Sequence, residues 1–510
     1  MEEKYQVPQD KSQKNDFTPF FEPDGVAVIG SFKEGVFGGY VVVKSLLEAG
    51  YQGNIYPVNP GSYKEVLGLT VYPAPQDIPG KADLALVMIN ARNVASVIKT
   101  CAEAGIKSII LVADGFAERD TEGARLQDEV VHLANSLGVR IIGPNTAGIA
   151  NAMNGFNPCP YDAGYYRFKK GTVSICSQTG MINPQAYAYG DLGYGISKIC
   201  DFGNKCDLDE CDFLEYLETD DSTQVISVYV ESVKNGKRFL EVCKRVASKK
   251  PLLLLKLGAT KEGARASASH TGSLAIDDKV FDAVCRQTGV LRLDQFTEMF
   301  EMPRFFASQP LPRGNRFGMV SYTGAVGVAA LDEGVRHGLV RAQLSRDTAR
   351  MLEDMFPGLG HVPVDIGPMI PSIKDFSSVY SKILTAVIDD ENVDALFNVI
   401  WADAKGNNTK AYVEGYEALK KNLRKPVVTW VYGPNIGMTR DVTARLESLG
   451  FPVFAEPERC IKALGLAYRY ASGKYKDRGQ GAVVRGQDKI LPKLAPEESL
   501  EMKTSDCSNY

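Results

Sequence analysis

The sequence predicts an α/β protein built on parallel, doubly wound sheets. Short β-rich runs alternate with amphipathic stretches of helical length from Val26 onward, and strands separated by such helices pair in parallel through crossovers. The alternation fills most of a 510-residue chain, which at roughly 150 residues per domain is about three domains. The second and third of these stretches also repeat each other's motifs in the same order.

Residues 1 to about 20 are polar and read as a flexible arm. The run Val26–Gly30 opens the first series. Asn54–Val58, Leu84–Ile89, Ser108–Val112 and Arg140–Ile142 follow as strands, with Tyr40–Ala49, Ala91–Ala104 and Thr121–Leu137 as helices between them. A second series begins at Gly171 and ends near Phe305, before the turn-rich 308–314. A third runs from Phe317 to about Tyr470. The expected divisions are 20–155, 165–307 and 313–472, with a charged peripheral tail at 473–510. Within the repeat, GTVSICSQTGM (171–181) parallels FGMVSYTGAVG (317–327), VISVYVES (225–232) parallels LFNVIWAD (396–403), and KKPLLLLK (249–256) parallels RKPVVTWV (424–431). The two series should share one sheet topology.

Composition narrows the classes. Charged residues make up 24% and hydrophobic ones 44%, ordinary for a soluble globular protein. A net charge of −4 lacks the footprint of a nucleic-acid binder. No apolar run reaches the roughly 20 residues that span a bilayer, and the N-terminus has no basic start followed by an apolar core. Ten scattered cysteines read as reduced thiols in a cytoplasmic protein. Cys200, Cys206 and Cys211 fit neither zinc nor iron–sulfur spacing, so no metal site is expected.

Several turns have the makings of anion sites. Gly30-Ser31-Phe32-Lys-Glu-Gly35-Val-Phe-Gly38-Gly39 joins the first strand to a helix, where backbone amides can approach a phosphate. Its spacing differs from the GxGxxG dinucleotide fingerprint. Val58-Asn59-Pro60, Ala113-Asp-Gly115-Phe116 and Gly143-Pro-Asn145-Thr146 end strands at the carboxyl edge of the same sheet, where open α/β sheets bind ligands. Each taken singly is also an ordinary Gly/Pro/Asn turn; together they outline a crevice. Ser177-Gln178-Thr179-Gly180 and its repeat Ser321-Tyr-Thr323-Gly324-Ala325 each place hydroxyls and a glycine between a strand and a helix. Capping explains either one; the matched pair suggests two helix ends gripping one phosphoryl group.

Of four histidines, His132 and His337 lie in or at the end of helical patterns and read as structural, and His361 sits in a Gly/Pro loop. His270 stands in Ala264-Arg-Ala-Ser-Ala-Ser-His-Thr-Gly-Ser-Leu-Ala275, a small-residue loop after the strand Leu252–Leu257, where an imidazole has little apolar purpose.

Taken in order, AVIGSF, IYPVNP, GPNTAG, SQTG, VES and SASHTGSLA resemble the NDP-forming acyl-CoA synthetases, over about residues 20 to 470. The resemblance implies a CoA-binding Rossmann domain followed by two flavodoxin-like domains. It implies that His270 is transiently phosphorylated, that Glu231 orients it, and that Ser177, Gln178, Thr179 and Gly180 with Thr323, Gly324 and Ala325 hold the phosphoryl group. CoA contacts would fall on Gly30, Ser31, Phe32, Val58, Asn59, Pro60, Gly115 and Asn145. The chemistry suits the residues: imidazole is nucleophilic at neutral pH and leaves again from phosphorus, a carboxylate fixes its tautomer, and helix ends supply preset donors.

No ATP-grasp segment follows the third series, so ATP, ADP and Mg²⁺ are expected on a separate ATP-grasp β subunit of a hetero-oligomer. Two other readings stay open at this point: a CoA- or acyl-CoA-sensing protein, and a CoA-dependent acyl or carbamoyl transferase on the same fold.

Overall fold

The computed structural model describes residues 16–35, 37–161, 169–180, 192–265 and 277–477. Its strands, in chain order, begin with β1 (Gly25–Gly30), β2 (Asn54–Val58), a small hairpin of β3 (Glu65–Val66) and β4 (Leu69–Thr70), β5 (Leu84–Met88), β6 (Ser108–Leu111) and β7 (Arg140–Ile142). Next come β8 (Ile149–Asn151), β9 (Lys170–Ser177), β10 (Ile196–Asp201), β11 (Val225–Tyr229), β12 (Leu252–Leu255) and β13 (Leu291–Leu293). The last are β14 (Arg316–Ser321), β15 (Val340–Arg341), β16 (Val364–Asp365), β17 (Ala395–Trp401), β18 (Val427–Tyr432) and β19 (Val453–Phe454).

They form three main sheets. The first has the order β2-β1-β5-β6-β7, all parallel. The second is β13-β12-β11-β9-β10-β8, parallel except for β8. The third is β15-β14-β17-β18-β19, with β16 also alongside β14. Fully buried runs such as Leu252–Leu255 account for the parallel pairing, since helices cover both faces. The second and third sheets share one topology of their parallel strands around β9 and β14, as the repeated motifs anticipated, with β8 added to the second.

That topology positions the motifs. Apart from the added edge strand β8, the chain starts in each sheet near the middle, goes to one side, then crosses to the other. The loop after β1, β9 or β14 therefore opens at a switch point, where an open α/β sheet leaves a crevice at its carboxyl edge. The loops starting at Ser31, Gln178 and Tyr322 are these three.

One feature differs from the sequence expectation, and a second adds to it. The polar arm ends earlier than residue 20: Phe17, Phe20 and Phe21 are buried, and Phe21 stacks on Tyr216 with ring centroids 4.9 Å apart. Their apolar surface finds cover on the helix Glu210–Thr219 of the second unit. The strand Ile149–Asn151, in the stretch assigned to the first domain, pairs antiparallel with β10 of the second sheet.

Candidate functional site

The first crevice is built around Asn59. Its amide donates to the Gly30 carbonyl at 2.7 Å, and its carbonyl oxygen accepts the Gly61 amide at 2.7 Å. One side chain thus ties the exits of β2 and β1. Ser31 is exposed and its carbonyl accepts the Tyr40 amide, while Phe32 is buried with its ring against Gly39. A Cβ at Gly39 would lie 2.7 Å from that ring, so glycine is needed for this contact. Phe32 shapes the loop from beneath. Val58 is buried as well and bridges Tyr72.

Gly115 and Asn145 both take left-handed backbones, φ 92° and 56°, a conformation that glycine and asparagine tolerate best. The Asn145 amide donates to Ala113 O at 2.9 Å. The Gly115 and Phe116 amides donate to Glu118 Oε1 at 2.6 and 2.9 Å. Asn204, from the loop after β10, donates to Glu118 Oε2 and, at 3.1 Å, to Gln127. Glu118 and Asn204 were not singled out from sequence. Their side chains meet across 86 residues, and only the Gly-Asn turn at 203–204 hints at a special backbone.

A second seam joins this edge to the second sheet. Asp201, at the end of β10, accepts the Ala147 amide at 2.6 Å and the Gly203 amide at 3.1 Å. The Thr146 hydroxyl donates to the Asp201 carbonyl at 2.6 Å. Burial pushes the Asp201 carboxyl up to about 6, against the pull of those two amides, and the charge of Glu231 adds to the rise.

On the second sheet, Ser177 and Tyr229 are register partners on adjacent strands, so the loop after β9 lies beside the segment carrying Glu231. The Ser177 hydroxyl is buried and accepts the Thr179 amide at 3.0 Å. Gln178 turns its side chain toward the neighbouring strand end: Oε1 accepts the Glu231 and Ser232 amides at 2.9 and 3.1 Å, and Nε2 donates to the Ser232 hydroxyl at 3.2 Å. Glu231 itself is buried and accepts the Tyr229 hydroxyl at 3.1 Å. His270 lies outside the described residues, as does the stretch after Gly180. Its loop leaves from β12, the strand next to β11.

The third sheet repeats the turn. Ser321 Oγ accepts the Thr323 amide at 3.1 Å, matching Ser177 and Thr179, and the helix Gly324–Arg336 starts with no side-chain cap from Thr323. Its first amides are therefore not taken by a cap. Among the described residues no hydrogen bond links Thr323–Ala325 to Ser177–Gly180.

Three switch points thus stand in tandem, two with the same hydroxyl-braced turn. Residues 24–152 match the CoA binding domain family, and residues 170–306 match the succinyl-CoA ligase like flavodoxin domain. The chain is 36% identical over 446 residues to the acetate–CoA ligase [ADP-forming] II subunit alpha of Pyrococcus furiosus, covering 86% of this chain and 94% of that one. It is 36% identical over 461 residues to an ADP-forming acetate–CoA ligase of Archaeoglobus fulgidus, covering 89% of this chain and 67% of that longer protein. The dinucleotide forming acetyl-coenzyme A synthetase 1 of Ca. Korarchaeum cryptofilum, solved with phosphate and ADP, superposes with a TM-score of 0.82 at 29% identity over 91% of this chain and 98% of that one. The chain belongs to the family of ADP-forming acetate–CoA ligase alpha subunits.

Proposed function

We propose that this chain is the CoA-binding, phosphoryl-relaying subunit of an ADP-forming acyl-CoA synthetase. The overall reaction joins a carboxylic acid, ATP and CoA to give acyl-CoA, ADP and phosphate, reversibly. His270 takes the γ-phosphoryl group of ATP and passes it to the acid as acyl phosphate. The CoA thiol then attacks the acyl carbon, and phosphate leaves. Glu231 holds the imidazole nitrogen opposite the phosphorylated one, fixing the tautomer and balancing the developing positive charge. Amides of the Ser177–Gly180 and Thr323–Ala325 turns beyond Thr179 and Thr323, which the Ser177 and Ser321 hydroxyls do not take, receive the phosphoryl oxygens. The crevice of Gly30–Phe32, Val58–Pro60, Gly115 and Asn145 receives CoA.

The observation that carries this reading is the adjacency of β9, β11 and β12, whose exits lead to Ser177–Gly180, Glu231 and the His270 loop. The partner in this reading is an ATP-grasp β subunit bearing ATP and Mg²⁺. The relatives of matching length in Pyrococcus furiosus are named alpha subunits, which supports a second chain. Incubating the chain with its partner and γ-³²P-ATP should label it with an acid-labile, base-stable phosphate, because phosphoramidates hydrolyse once their nitrogen is protonated. His270→Ala should remove both label and turnover. An acid-stable label, or turnover without His270, would refute the assignment.

A further inference from the structure

The ammonium of Lys205 is buried in the second unit, its side chain 1% exposed, and so is the Glu210 carboxylate it meets at 2.9 Å. The other oxygen, Glu210 Oε1, is buried with no hydrogen-bond partner among the described residues. Taking both charges out of water costs several kcal/mol per ion, and replacing such a pair by apolar side chains is often neutral or stabilising. Lys205 also adopts a left-handed backbone, φ 55°, at a cost of roughly 1–2 kcal/mol. Stability alone is a poor reason for this arrangement.

The ammonium does one thing an apolar side chain could not. It donates to the Ser232 carbonyl at 2.7 Å. From the neighbouring loop, Gln178 accepts the Glu231 and Ser232 amides. The exit of β11 is therefore gripped at its amides from the β9 loop and at its carbonyl from the β10 loop. Glu231 is the first residue of this gripped segment. Lys234 completes the frame by donating to the Lys205 carbonyl.

We propose that Lys205, ion-paired with Glu210, is a positioning residue for Glu231: it fixes the Ser232 carbonyl, one residue past the carboxylate, so that Glu231 meets the phosphorylated histidine in one orientation. The inference rests on the reading that Glu231 orients His270.

The test uses the full chain assembled with its partner. Lys205→Met strands the Glu210 charge and should lower the melting temperature and slow histidine labelling by at least about tenfold. Lys205→Met/Glu210→Met removes both charges. It should recover the melting temperature while labelling stays at least about tenfold slow and KM for CoA stays within about twofold of the parent. A double variant that labels at the parent rate would reduce the pair to a structural role and overturn the proposal. If the single variant does not fold, the double variant decides. Glu231→Gln measured alongside separates the two readings. Slow labelling in Glu231→Gln beside fast labelling in the double variant sinks only the Lys205 proposal. Parent-rate labelling in Glu231→Gln sinks the role of Glu231 and the proposal with it.

Discussion

Asp201 accepts the backbone amide of Ala147 at 2.6 Å, across the seam between the first sheet's GPNTAG turn and the second sheet. Its carboxyl is raised from 3.8 to about 6, burial being the main cause. The native carboxyl therefore holds its proton more tightly than the unfolded one. That stabilises the fold at low pH, and the contribution is lost as pH rises from about 4 through 6. Asparagine has no proton to lose. The stability of Asp201→Asn relative to the parent should climb across that window by up to about 3 kcal/mol, two pKa units at roughly 1.4 kcal/mol each. Denaturant melts of both proteins from pH 4 to 7 check this; a pH-independent difference would refute it.

Glu231→Gln keeps the shape of the side chain and its contact with Tyr229, so the fold should persist. Labelling of the histidine should slow by as much as about 10⁴-fold, the scale seen when a catalytic histidine loses its charged orienter. Single-turnover labelling in the assembled enzyme measures it directly.

Asn59→Ala removes the donor to Gly30 O and the acceptor for Gly61 N. Losing a bond of this kind is worth about 1 kcal/mol or slightly more, so KM for CoA should rise roughly five- to tenfold. Histidine labelling from ATP, which precedes CoA, should be unaffected. A fall in labelling with no change in KM would contradict CoA binding at this crevice.

The first crevice and the repeated Ser-x-Thr-Gly turns were legible because their signals are local. A strand run, a glycine and a hydroxyl lie within ten residues, and Ser177 and Ser321 each brace their own turn. The supports of the site were not legible. Glu118 meets Asn204 across 86 residues, and Lys205 reaches Ser232 across 27. Nothing in the neighbourhood of either residue states its partner. The pairing of Ile149–Asn151 with β10 is not legible either, because three residues carry no periodicity that identifies a neighbour. Phe17 falls in the stretch expected as a polar arm, although an aromatic ring brings enough apolar surface to dock on its own.

Phe21→Ala should destabilise the protein by about 3–5 kcal/mol, the usual cost of deleting a buried phenylalanine. Phe21 is 1% exposed and lies parallel to Tyr216, 4° between planes. Its backbone carbonyl also accepts the side-chain amides of Asn151 and Asn154. A melting temperature unchanged by the substitution would show that the segment contributes nothing to docking.

The loan of Ile149–Asn151 to the second sheet bears on how the protein can be cut. A chain stopped just after residue 152, where the family match to the CoA binding domain ends, would carry off a strand whose ladder is with Lys198–Cys200. The remaining piece would begin with the rim of β10 uncovered, an open row of amides and carbonyls that invites pairing with other chains. Expression trials of the separate halves should thus yield a second half prone to clump. Restarting the second half before Gly148 should cure the clumping.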